Sequence, residues 1–163
     1  MTIEFTTVPL QCDWVSFVQQ VTYATPLKDL TAFVGAAFKP FSIQSATVEL
    51  QVIVFEPREL IAYCASQGIQ TDEAGLNDKM LSARTKESTA ELLEATLGDW
   101  IDFFFVPRPI SFVIFADHDE YTTFFTRSET DLNALCESLD SGGFRKINGW
   151  NRDSLEVLRK QYV

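Results

Sequence analysis

The chain has 163 residues, 46% hydrophobic and 22% charged, with 23 acids against 13 bases and a formal net charge of −10. Such a length and composition fit one folded domain with a real core and exclude a disordered chain. The negative balance disfavours nucleic acid and anionic membrane as partners, because phosphates are held by Lys and Arg.

In chain order, Ile3, Phe5 and Thr7 alternate with their neighbours and predict a first strand. Asp13 is placed to cap a helix carrying Trp14, Phe17, Val18 and Val21, which Pro26 ends or restarts. Leu27, Leu30, Phe33, Val34 and Ala37 form the stripe of a second helix, with Pro40 beyond its end. Thr47 to Phe55 is rich in β-branched residues and reads as a buried strand. Glu56-Pro57 opens a helix that Gly68 stops. Residues 71 to 87 read as a polar loop with one helical turn near Met80 and Leu81.

Helix resumes at Ser88, with Ala90, Leu93 and Leu97 on one face and Glu87, Glu91 and Glu94 on another, until Gly98 ends or bends it. The run from Trp100 to Val106 has no decisive period. Ile110 to Ala116 and Tyr121 to Arg127 flank Asp117-His118-Asp119-Glu120 and predict an antiparallel hairpin. Glu129 to Leu139 forms a helix capped by Ser128, with Leu132, Leu135, Cys136 and Leu139 buried. Gly142-Gly143 stops it, Phe144 to Ile147 adds a strand, and Ser154 to Tyr162 forms a last helix. The fold class is therefore α+β: a single domain, 1–163, in which an antiparallel sheet containing residues 47–55, 110–116 and 121–127 is covered by helices.

Three distant cysteines, Cys12, Cys64 and Cys136, with no Cys-x-x-Cys, argue against a disulfide framework. Met1 to Leu10 has neither the basic stretch nor the apolar run of a signal peptide, and the longest apolar runs are too short for a membrane span. A reducing, cytoplasmic location is expected, and nothing in the sequence sets an oligomeric state.

The charge is unevenly distributed. Residues 87 to 140 carry twelve acids against two bases, whereas residues 141 to 163 carry two against five. The same acidic span holds nine aromatics between Trp100 and Phe125. Concentrated negative potential beside flat side chains suits a basic protein partner. The candidate contact residues are Glu91, Glu94, Asp99, Trp100, Asp102, Asp117, His118, Asp119, Glu120 and Tyr121. Phosphate-loop, dinucleotide, zinc-protease and serine-hydrolase signatures are missing, so no catalytic or metal-binding residue and no cofactor is assigned. The alternatives are a hydrolase or metal-dependent enzyme centred on His118, the only histidine, and a structural subunit or nucleic-acid mimic.

The run ISFVIFADHDEYTTFF (Ile110 to Phe125), followed by a Leu-rich helix, Gly143-Phe144 and Trp150, resembles the hairpin-helix ending of some bacterial immunity proteins of polymorphic toxin or contact-dependent inhibition systems. It covers about a third of the chain, and no toxin-binding residue carries over. The resemblance implies a small acidic cytoplasmic protein that covers the active site of a cationic toxin, often a nuclease, without catalysis of its own.

Overall fold

In the computed structural model, which describes residues Thr2 to Tyr162, seven strands form one antiparallel sheet in the order β1-β4-β3-β5-β6-β7-β2. Met1 and Val163, the ends of the expected domain, lie outside the described residues. The strands are β1 (Ile3–Thr6), β2 (Gln19–Ala24), β3 (Ser45–Val52), β4 (Met80–Ala83), β5 (Asp102–Arg108), β6 (Val113–Ala116) and β7 (Tyr121–Thr126). The helices are α1 (Leu30–Phe38), α2 (Arg58–Ser66), the single turn α3 (Glu73–Leu76), α4 (Lys86–Gly98), α5 (Glu129–Ser141) and α6 (Leu155–Tyr162).

The sheet is covered on both sides, and β5 shows why its sequence carries no clear period. Phe103 and Phe105 face one core, shared with Val48, Leu50, Leu81, Ile114 and Phe124 under α1, α2, α4 and α5. Phe104 and Val106 face a second core with Val113, Phe115 and Phe125, closed by Leu155 and Leu158 of α6 and by Phe17. A central strand buried on both faces loses the polar alternation that would otherwise mark it. Each fully buried Phe contributes roughly 1.5–3 kcal/mol of hydrophobic stabilisation.

Several local signals hold. Ser128 accepts from the Asp131 amide and starts α5 as expected, while α4 starts at Lys86, two residues before the expected Ser88, because Thr85 accepts from the Ser88 amide. The expected hairpin is β6–β7, with Val113 opposite Phe125 and Ala116 opposite Thr122. Others yield to long-range pairing. In place of a helix over Trp14 to Val21 there is a short 3-10 turn, Trp14–Ser16, followed by β2, which pairs along its whole length with β7. The helical spacing of Trp14 and Phe17 survives only as two contacts with the second core. The helical turn expected near Met80 is instead β4, inserted between β1 and β3, with Leu81 and Ala83 buried and Met80 and Ser82 half-buried on the other face.

The strand expected at 47–55 leaves the sheet after Val52, so Val54 and Phe55 are exposed. The strand expected at 144–147 is reduced to one bridge, Tyr23 with Lys146. The Ala24 amide donates to Arg145 and the Ile147 amide to Thr22. Glycine turns on both sides leave too little chain for a ladder, yet the contact covers the outer edge of β2.

Candidate functional site

The ten candidate residues fall into three physical settings. The first is interior. Asp99 is buried, and its two carboxylate oxygens accept from the Glu59 and Leu60 amides at 3.1 and 2.8 Å. It therefore caps the first turn of α2 from forty residues away, a task that Pro57 at the cap position leaves undone. Burial raises the Asp99 pKa, and the two amides oppose that rise. Asp102 is also buried, with one carboxylate oxygen receiving both the backbone amide and the ring Nδ1 of His118 at 3.1 and 3.0 Å. Both acids are thus engaged inside the fold rather than presented to a partner, which corrects the expectation drawn from charge alone.

The second setting is the hairpin turn beneath α6. Here the C-terminal segment folds back and places the Arg152 guanidinium, 6% exposed, against Asp117 at 3.0 Å and Asp119 at 3.2 Å. Arg152 also donates to the Thr123 hydroxyl and the Tyr121 carbonyl, and lies over the rings of Phe115 and Trp150. Asp117 and Asp119 lie in the turn between β6 and β7, which curls both carboxylates onto the same guanidinium. Their carboxyls interact with each other, so burial with the Asp117 charge raises Asp119 to about 6. Asp117, against burial, is held low by its bonds to Asp119 and by the Arg152 charge. Further along, Arg159 pairs with Glu49 at 3.0 Å and stacks on Trp14 and Phe104. The basic tail thus neutralises the acids nearest to it, and the hairpin carboxylates do not form an open anionic patch.

The third setting is open. Glu91 and Glu94 line a groove of about 620 Å³ between α1, α2 and α4, together with Leu27, Leu30, Glu59, Ala62, Tyr63, Ala95 and Gly98. Every charge on its wall is negative. The groove exists because Ala62, Ala95 and Gly98 leave the space between the helices unfilled; a Cβ at Gly98 would already touch Glu59 and Leu30. Thr31 donates to Glu94 at 3.2 Å, while burial and neighbouring Glu91 raise the Glu94 pKa. Tyr63 donates to the Ser88 carbonyl, and its phenol is also raised, by burial and then by Glu91. Among the described residues, Glu59, Glu91 and Glu94 make no ion pair.

Leu27, 42% exposed, also lines a second cleft of about 410 Å³ with Lys28, Asp29, Trp100, Glu120, Tyr121 and Arg145. Two segments far apart in sequence meet there, the end of α4 and the β6–β7 turn. Five of the ten candidates, Glu91, Glu94, Trp100, Glu120 and Tyr121, therefore border one continuous strip with Leu27 at its middle. The remaining candidate, His118, is half-exposed and directs its remaining ring nitrogen, Nε2, away from Asp102.

Sequence reasoning misses Leu27, Glu59 and Tyr63, which by spacing alone are ordinary helix residues. The available signal was the coincidence of small residues, Ala62, Ala95 and Gly98, with acids one turn away on the same helices. Cys64 is buried in the first core, with its thiol pushed up to about 11, and is suited to packing rather than nucleophilic chemistry. No group of three or more His, Cys, Asp or Glu side chains among the described residues is placed to hold a metal ion, and no helix is long and apolar enough to cross a membrane. Compared with protein-family models, curated proteins and solved structures, the chain matches none.

Proposed function

We propose that this chain is a protein-binding module that docks a basic partner along the strip joining the two clefts at Leu27. The observation that carries the reading is the groove between α1, α2 and α4: an apolar floor with three carboxylates and no base on its wall. A Lys or Arg side chain fits such a site by laying its aliphatic stem on Leu30, Ala62 and Ala95 and its charged head against Glu59, Glu91 and Glu94. The surroundings reinforce it. Helices α1, α2, α4 and α5 together carry eight acids and two bases, and the field of such a surface steers a cationic protein toward it. Trp100 and Tyr121 in the adjoining cleft are the aromatic type that anchors interfaces.

The finer reading is a neutralising immunity protein whose partner is a cationic toxin domain such as a nuclease. Its support is the likeness of the Ile110 to Phe125 hairpin and the following helix to that class, together with the unpaired acids of the strip. The test is calorimetric titration with the basic domain encoded in the adjacent reading frame. A one-to-one complex is expected, weakening as salt rises and weakened about tenfold or more by Glu91→Lys with Glu94→Lys, because rim charge pairs contribute about 0.2–1 kcal/mol each and reversal adds repulsion. Binding indifferent to both reversals and salt would remove the groove from the interface. A neighbour with no basic domain would remove the immunity reading.

A further inference from the structure

The Asp102–His118 pair joins the start of β5 to the β6–β7 turn, two residues from Trp100 and Glu120 of the second cleft. Trp100, two residues before Asp102, has a φ of 56°, and Glu120, two residues after His118, has a φ of 75°. Both line the cleft with Tyr121. Left-handed backbone at a bulky residue such as Trp persists only where surrounding contacts hold it. Several contacts do the holding: the Trp100 amide donates to the Leu97 carbonyl at the end of α4, the Glu120 carbonyl accepts from the Thr25 amide at 2.8 Å, and Asp102, its side chain 4% exposed, ties the two segments together by accepting two hydrogen bonds from His118, one from the backbone of the turn and one from the ring.

We infer that the Asp102–His118 contact is a proton-operated clip that keeps the Trp100 and Glu120 walls in the docking shape when His118 is protonated and lets them relax when it is neutral. This rests on the docking reading above and adds a regulation to the same strip. With imidazolium, the contact between the turn and β5 is a charge pair as well as a hydrogen bond; with imidazole, the Coulomb part is lost while the strained backbone on either side remains.

The charged groups around the clip agree on its direction. His118 is faced by Asp102 from β5 and by Asp117 and Asp119 on its own turn. From α6, Tyr162 lies near Asp102 and Asp117, its phenol raised by burial and then by those two charges. From the preceding segment, Arg152 faces Asp117 and Asp119 and offsets part of their field. The net result is an imidazole pKa raised, chiefly by the bond to Asp102, with burial opposing. A raised folded value means the clip is fully present below the unfolded value near 6.5 and is lost as pH rises through the folded one.

The experiment is a pH titration from 5 to 9 of the isolated chain, following the Trp100 indole and the Glu120 and Tyr121 amides by NMR. The Trp100 signal is assigned from Trp100→Phe. The expected result is one midpoint above 6.5, shared by the His118 ring and these signals, that disappears from Trp100 in His118→Gln. Asp119→Asn should leave the Trp100 transition in place, which separates the clip from the carboxyl that titrates beside it. A Trp100 signal that ignores pH, or one that moves identically in His118→Gln, overturns the proposal. No partner enters this measurement. Failure here leaves the docking reading intact, and the expected titration alongside absent partner binding sinks the docking reading alone.

Discussion

On the α6 side of the sheet, Arg152 and Arg159 are packed, half-buried, against Asp117, Asp119 and Glu49 and lie on aromatic rings. On the opposite side, the four large helices carry eight acids and two bases, and the groove among them contains acids alone. The same residue types therefore serve different ends. Where an arginine folds back, carboxylates become part of the packing and hold the chain's end in place; where none does, they remain as an uncompensated field. Local acid density cannot separate these outcomes, because the deciding cation comes from elsewhere in the chain.

Four changes would break or sharpen this contrast. The largest effect is expected from Arg152→Ala, which leaves the partly buried Asp117 and Asp119 facing each other and strips the Thr123 and Tyr121 contacts. Removing one member of such a buried pair costs about 3–5 kcal/mol, and a urea unfolding midpoint should fall accordingly. A loss under 1 kcal/mol would mean that the tail only rests on the sheet.

Next comes Asp99→Ala, on the helix side, where the acid is structural despite its acidic neighbourhood. Loss of a charged cap that receives two amides should cost about 1–3 kcal/mol. Denaturant unfolding reads the loss, and hydrogen exchange at Glu59 and Leu60 should rise first.

A smaller effect, of definite sign, attaches to Asp119. Its folded pKa, about 6, lies above the ordinary carboxyl value of 3.8, so its contribution is present below that ordinary value and is lost as pH rises through 6. Asp117 is lowered and contributes in the opposite sense, with stability present above the ordinary value and lost as pH falls. Asp119→Asn should therefore flatten the stability profile between pH 4 and 6 and be no less stable than the parent at pH 7. A profile that keeps its slope would assign it to another group.

The smallest effect on folding belongs to the residues most needed for docking. Glu91→Lys with Glu94→Lys should change stability by no more than about 0.5 kcal/mol, as for substitutions on a solvated face, while altering partner affinity and its salt dependence. A large loss of stability would show that these acids belong to the packing after all.

What the amino-acid sequence determined was whatever is settled within a turn or a hairpin. Ser128 and Thr85 start their helices, the β6–β7 pair closes over four residues, and Glu91 and Glu94 share a helix face, because each depends on groups a few positions apart. Tertiary structure decided the rest. The segment after Trp14 became β2 by pairing with β7, a hundred residues away, and β5 lost its alternation by being covered twice. Asp99 reached across to α2 and Arg152 to the hairpin. Long-range pairing and charge neutralisation depend on which distant side chains packing brings within a few ångströms, and spacing along the chain carries no record of that distance.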